Sequence, residues 1–320
     1  MSFAYARPES WESAAALLQD ATSQPLGGGT DLIPLIREHQ QSPTRVVDLR
    51  GIAEARRIVR MDDGSVTIGA AVTLRELALD VTLRESFPAL SEACHAVGSY
   101  ALRAMGTLGG NLCQHVRCWY FRQGHECLRL GGTHCSAQRG ENQYHAVFQQ
   151  GPCVAVHPSD PAVALHALEA QVHVQRASGA RTVPMAEFLA PSRERLDATT
   201  VLAPGEFVTA VTIPAHSSGG VQLYEKSMQR GAWDFALVSL AALRRPDGEV
   251  RLVLGGVANT PWRVTDSIEE DLASGGLAAE DIETLAQRAL YDATPLAGNA
   301  YKLDIAAALL RRAMGRLVTS

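Results

Sequence analysis

Gly106-Thr107-Leu108-Gly109-Gly110-Asn111-Leu112 opens the stretch on which the reading of this chain turns, and His157-Pro158-Ser159-Asp160 closes it. Between the two lie five of the six cysteines, Cys113, Cys118, Cys127, Cys135 and Cys153. Four of the ten histidines, His115, His125, His134 and His145, lie there too. Thiolates gathered this closely are candidate holders of a soft metal. Glycine-rich turns let backbone amides approach phosphate oxygens with no side chain in the way. One segment thus joins a candidate inorganic cluster to part of a candidate nucleotide site, and that pairing points to electron transfer.

Counted from Cys113 the spacing is C-x4-C-x8-C-x7-C-x17-C, without a CxxC pair. Structural zinc modules use close-spaced knuckles, and two-cluster ferredoxins have a run of their own; neither is present. An iron–sulfur cluster needs four thiolates, and spacing leaves open which four of the five serve. The histidines are alternative ligands, or donors of hydrogen bonds that tune a cluster. Between Cys113 and about Ala146 no helical or strand period is visible, so the segment reads as an irregular insertion folded around its metal.

Outward from this centre the chain is ordinary soluble protein, 46% hydrophobic and 20% charged over 320 residues. Its length suggests two or three units. A formal net charge of -5 argues against a general nucleic-acid binder. No apolar run approaches the roughly 20 residues of a membrane span. The N-terminal residues Met1 to Pro8 show no signal peptide, and the bunched cysteines fit a reducing compartment. A cytoplasmic protein is expected, with periplasmic export beside a signal-bearing partner as the alternative.

Ser10 is placed to cap a helix over residues 11–18. Pro25-Leu26-Gly27-Gly28-Gly29-Thr30-Asp31-Leu32 reads as a tight turn opening into a helix; it is neither GxGxxG nor a phosphate loop with its lysine. Residues 45–49 and 65–70 read as strands, and Thr73-Leu74-Arg75-Glu76 as a capping box. A helix from Phe87 carries Cys94 on its buried face. Cys153 to Val156 reads as a buried strand, and Ser159 or Asp160 as the cap of a helix with Pro161 at its start. Residues 171–175 and 207–214 read as strands. Ser217-Ser218-Gly219-Gly220 marks a boundary between units 1–218 and 219–320. The second unit shows three strands, 222–227, 236–243 and 250–257, then helices over 279–291 and 303–317, an α+β arrangement with its helices on one face.

Gly27-Gly28-Gly29-Thr30-Asp31-Leu32, Thr107-Leu108-Gly109-Gly110-Asn111-Leu112, His157-Pro158-Ser159-Asp160 and Leu254-Gly255-Gly256-Val257-Ala258 stand in an order that resembles the FAD-binding medium subunits of the xanthine dehydrogenase and carbon monoxide dehydrogenase family. The insertion about 113–153 is similar to the subgroup with an extra [4Fe–4S] cluster, which includes aldehyde oxidoreductase flavin subunits and 4-hydroxybenzoyl-CoA reductase β subunits. The match is closer to the aldehyde oxidoreductase type. The resemblance implies an α+β fold: a two-part FAD-binding domain of the vanillyl-alcohol-oxidase type and a smaller C-terminal domain with a three-stranded antiparallel sheet. It implies Cys118, Cys127, Cys135 and Cys153 as cluster ligands, with Cys113 a non-ligand. FAD pyrophosphate would rest on Leu26, Gly27, Gly28, Gly29, Thr30, Asp31 and Leu32 and on the turn of Thr107, Gly109, Gly110 and Asn111. Gln114, Asp160, Val208 and Lys226 would touch other parts of the cofactor, with Arg230 and Asp234 as weaker candidates. For Lys226 the alternative is a solvated strand lysine.

The same resemblance implies an electron-transfer subunit with no catalytic acid, base or nucleophile of its own. Its partners would be a large subunit with a molybdenum cofactor, a small [2Fe–2S] subunit and an external electron acceptor. Two other readings stand beside it. One is a reductive aromatic-CoA dehydroxylase subunit, for which the eight residues between Cys118 and Cys127 are few. The other is a zinc-stabilised scaffold without enzymatic function.

Overall fold

The computed structural model describes residues 3–231 and 233–319. Three sheets carry the fold. A small parallel sheet has the order Ala4–Ala6, Arg45–Asp48, Ser23–Leu26. An antiparallel sheet of five strands runs Ile58–Arg60, Val66–Gly69, Phe207–Ile213, Gln171–Arg176, Gly179–Pro184. The C-terminal sheet has four strands, in the order Trp262–Arg263, Val250–Gly255, Val238–Arg244, Val221–Ser227. The expected three-stranded sheet is therefore corrected to four. The extra strand is two residues long behind Pro261, too short to show a period of two.

Local signals explain many helix starts. Ser10 accepts from the Ser13 amide at 3.2 Å ahead of Trp11–Leu18. Thr73 and Glu76 form the reciprocal capping box ahead of Leu74–Leu79. Ser159, and not Asp160, caps Asp160–Ala167, accepting from the Ala162 amide at 3.0 Å. Short helices Val81–Ser86 and Tyr100–Met105 and the helix Asp266–Ser274 were not visible as patterns in the sequence.

Cys153–Val156 is not a strand. Side chains, rather than a neighbouring strand, take several of its backbone groups. Asn259 Nδ2 donates to the carbonyls of Cys153 (2.9 Å) and Ala155 (2.6 Å), and the Cys153 amide donates to Ser192 Oγ (3.1 Å). These three backbone groups are satisfied without a ladder.

The C-terminal sheet is buried on both faces, which is why Val238–Leu243 is apolar apart from Ser239. One face, with Ala241, Leu243, Val253 and Tyr224, continues the core of the five-stranded sheet and the helices Pro88–His95 and Asp160–Ala167. The other face, with Leu240, Ala242 and Leu252, packs under Asp266–Ser274, Ala279–Arg288 and Tyr301–Thr319. Val147 and Phe148 of the cysteine-bearing segment enter that second core, and Phe148 stacks on Trp262 at 4.3 Å. In the long C-terminal helix Gly315 has open space where a Cβ would stand. Gly315→Ala is expected to stabilise the protein by about 1 kcal/mol, because glycine weakens a helix interior. A rise of about 2 °C in melting temperature checks it.

Among the described residues no helix is long and apolar enough to cross a membrane.

Candidate functional site

The two glycine-rich turns pack directly on each other. A Cβ on Gly28 would stand 1.7 Å from the Met105 carbonyl oxygen, and one on Gly27 would stand 2.3 Å from Thr107 Oγ1. A Cβ on Gly109 would meet Ala70 Cβ at 2.9 Å. These glycines are thus required by close approach of chain to chain, as well as by any ligand. Gly29 adds a left-handed φ of 73°.

The amides of the two turns differ. In the second turn they are spent internally. Leu108 donates to Val72, Gly109 to Ala70 and Asn111 to Thr107, and the Gly110 amide reaches Thr107 Oγ1. In the first turn the amides of Gly28, Gly29, Thr30 and Asp31 have no acceptor among the described residues. Four successive unspent donors suit an anionic ligand.

Two cavities meet at Gly110. One, of about 350 Å3, lies between Gly27, Thr107, Gly109, Cys113 and Val208. Val208 sits beside a bulge where the strand pairing shifts between His173 and Val174. The other, of about 140 Å3, is lined by Thr30, Asp31, Asn111, Gln114, Asp160 and Lys226. Leu26 and Leu32 lie behind the first turn in a small apolar cluster. Arg230 and Asp234 line a third cavity, of about 320 Å3, which also touches Asp160, Cys118 and His145.

Asp160 and Lys226 form a buried ion pair at 2.7 Å, with side chains 5% and 4% exposed. Tyr224 donates to the other carboxylate oxygen at 2.6 Å, and Lys226 also donates to the Ala96 carbonyl at 3.0 Å. Lys226 is therefore not a solvated strand lysine. Burial pushes the Asp160 carboxyl above its ordinary range, and Lys226 and Tyr224 offset part of that. Tyr224 was missed in the sequence; its place two residues before Lys226, on the same strand face, was the available signal.

Asp31 works chiefly as an anchor. Its carboxylate accepts from the His115 amide (2.8 Å) and pairs with Arg117 (2.8 Å) and Arg122 (2.7 Å). Burial alone would raise its pKa, but the two guanidiniums hold it below the ordinary carboxylate value. Gln114 donates to the Asn111 carbonyl at 2.8 Å and accepts from Arg117 at 2.9 Å, and Asn111 accepts from Ser159 at 2.6 Å. The first turn, the second turn and the start of the insertion are thereby one hydrogen-bonded unit. Arg117 and Arg122, which complete it, carry no motif in the sequence.

The insertion contains only short helical turns, at Trp119–Arg122, Leu128–Leu130 and Ser136–Gln138. Cys118, Cys127 and Cys153 pack together with Val116, Phe121 and Leu35. Burial pushes the Cys118 thiol up to about 11, and the nearness of Cys153 and Cys127 adds to the shift. Cys127 is raised by burial and, in the same way, by Cys153 and Cys135. Cys113 is apart: burial raises it to about 12, and it borders the core of the five-stranded sheet and the first cavity. Cys94 is fully buried. No three metal-binding side chains among the described residues converge on a point for a single ion.

His157 is 5% exposed and closes the same region. Burial first, then the nearby Arg129 charge, lowers its ring to about 3. A group with a depressed folded pKa contributes stability that is present above its unfolded value, about 6.5, and lost as pH falls toward the folded one. Stability is therefore expected to drop below about pH 6.5, with a slope from this ring of about 1.4 kcal/mol per pH unit. Melting temperatures from pH 8 to 5 measure it, and His157→Gln should flatten the acid limb.

Residues 1–216 match the family described as the FAD binding domain in molybdopterin dehydrogenase. The chain belongs to the FAD-binding medium subunits of the xanthine and carbon monoxide dehydrogenase family. Residues 223–317 of this medium subunit match the CO dehydrogenase flavoprotein C-terminal domain. The aldehyde oxidoreductase FAD-binding subunit PaoB of Escherichia coli K12 is 38% identical over 285 residues, covering 88% of this chain and 87% of that protein. The carbon monoxide dehydrogenase medium chain of Afipia carboxidovorans is 28% identical, covering 98% and 96%. Among solved structures, reconstituted CO dehydrogenase from Oligotropha carboxidovorans has a chain that superposes with a TM-score of 0.75 at 25% identity, covering 100% of this chain and 98% of that one. The medium subunit is thus an FAD-binding oxidoreductase subunit.

Proposed function

We propose that this chain is the flavin and iron–sulfur electron-transfer subunit of a molybdenum-dependent aldehyde oxidoreductase. It stands between partner subunits with molybdenum and [2Fe–2S] centres and an external electron acceptor. The observation that carries the reading is the row of unspent amides at Gly28, Gly29, Thr30 and Asp31, hydrogen-bonded through Asp31 to the segment that groups four thiols. The 38% identity to a subunit named for an aldehyde oxidoreductase supports the substrate class.

In this reading the pyrophosphate lies along Leu26, Gly27, Gly28, Gly29, Thr30, Asp31 and Leu32, with Thr107, Gly109, Gly110 and Asn111 closing the other side. The cavity beside Val208 takes the adenine end, and the one bounded by Gln114, Asp160 and Lys226 takes the ring end. FAD, when bound, supplies redox chemistry that no side chain has. The chain orients it, and the buried Asp160–Lys226 pair presents a fixed dipole at the cavity wall. Cys118, Cys127, Cys135 and Cys153 hold the [4Fe–4S] cluster.

The test is anaerobic purification with flavin, iron, sulfide and zinc measured on one sample. About one FAD with about four iron and about four sulfide per chain is expected. Cys118→Ser should lower the iron, and Cys113→Ser should not. Flavin without iron would remove the cluster; zinc without flavin would overturn the whole proposal.

A further inference from the structure

We infer that Arg129 and His145 set the reduction potential of the cysteine site by donating N–H···S hydrogen bonds to two of its sulfurs. This rests on the proposed cluster. Arg129 Nε lies 3.2 Å from Cys153 Sγ, and His145 Nε2 lies 3.2 Å from Cys118 Sγ. Among the described residues these are the side-chain hydrogen bonds made to cysteine sulfur.

Both donors are held from behind. Arg129 Nη1 donates to the carbonyls of Leu196 (3.2 Å) and Ala198 (2.9 Å). Among the described residues no carboxylate pairs with this guanidinium, so its charge is left to act on the sulfur. His145 is buried, with the Trp119 ring edge-on at 5.9 Å. Its backbone carbonyl accepts from Asn299 at 3.1 Å and from Lys302 at 3.0 Å. A ligating thiolate carries no proton and can only accept. The imidazole nitrogen facing it must therefore be the N–H.

A cluster gains negative charge when it is reduced. Hydrogen bonds and positive charge at its sulfurs stabilise that state and raise its potential. Arg129 and His145 are positioning residues in this sense: they touch the ligands, and act through them.

The experiment is a redox titration of the assembled enzyme followed by electron paramagnetic resonance, with iron and flavin counted in each sample. Arg129→Gln and His145→Phe remove the donors; the phenyl ring keeps the packing against Trp119. Each variant is expected to keep its iron and to lower the reduction equilibrium constant of the cluster by about tenfold, which is 59 mV for one electron. Arg129→Lys, which keeps the charge, should recover part of the shift. Wild-type potential in variants with full iron overturns the inference and leaves the cluster standing. Loss of iron from both Arg129→Gln and His145→Phe also overturns it, because the residues would then be holding the loop. A wild-type enzyme without iron removes the cluster itself.

Discussion

Gly28→Ala is expected to yield a protein purified with little flavin and destabilised by about 3 kcal/mol. The added methyl would stand 1.7 Å from the Met105 carbonyl oxygen and 2.4 Å from its carbon. Both are backbone atoms of the segment leading into the second turn, so no rotamer change relieves the overlap. The turns must part, and overpacking of this kind costs about 1–3 kcal/mol or more. Parting them also misaligns the unspent amides of Gly28 to Asp31 with the wall formed by Thr107 and Gly110. Gly27→Ala should be milder, because its obstacle is the Thr107 hydroxyl, which can turn aside. The ratio of flavin to protein absorbance and a melting curve decide the matter, with Gly315→Ala as the control. A Gly28→Ala protein with full flavin and an unchanged melting temperature would refute this account.

Lys226→Met should cost about 3–5 kcal/mol, as expected when one partner of a buried pair is removed. The loss is chiefly the carboxylate left behind. Asp160 would keep the Tyr224 hydroxyl, but no cation. Its folded pKa, already raised by burial, would climb further. A raised folded pKa gives stability that is whole below the unfolded value, about 3.9, and lost as pH rises through the folded one. The gap between wild type and Lys226→Met should therefore be widest near pH 7 and narrow as the solution is acidified. Asp160→Asn combined with Lys226→Met should recover most of the loss. Denaturant unfolding at pH 5 and pH 7 provides the measurement. A cost under about 1 kcal/mol, typical of an exposed lysine, would contradict the burial on which the argument rests.

Features written in short stretches were legible in the sequence. The capping box at Thr73, the cap at Ser159, the buried Cys94 and the glycine turns all depend on neighbours within a few residues. What escaped was decided across the chain. Cys153–Val156 has the composition of a strand, but Asn259, more than a hundred residues later, takes its carbonyls. Lys226 is buried because Asp160 waits on another element. The role of Asp31 as an anchor follows from Arg117 and Arg122, which no pattern singles out. Cysteine spacing alone leaves the five thiols of the insertion equivalent, whereas packing sets Cys113 apart from the others.

The C-terminal helix bears on the order in which this protein can be made. Lys302 is fully buried and donates to the carbonyls of Tyr144, His145 and Gly256, and Asn299 donates to those of His145 and Ala146. A chain is synthesised from its N-terminus and its domains tend to fold as they appear. The cysteine-bearing segment cannot follow that schedule. Its inner edge stays open until Asn299 and Lys302, more than 150 residues further on, have been made, however early the flavin-side sheets have formed. The thiols therefore gain their settled surroundings only once Asn299 and Lys302 are in place.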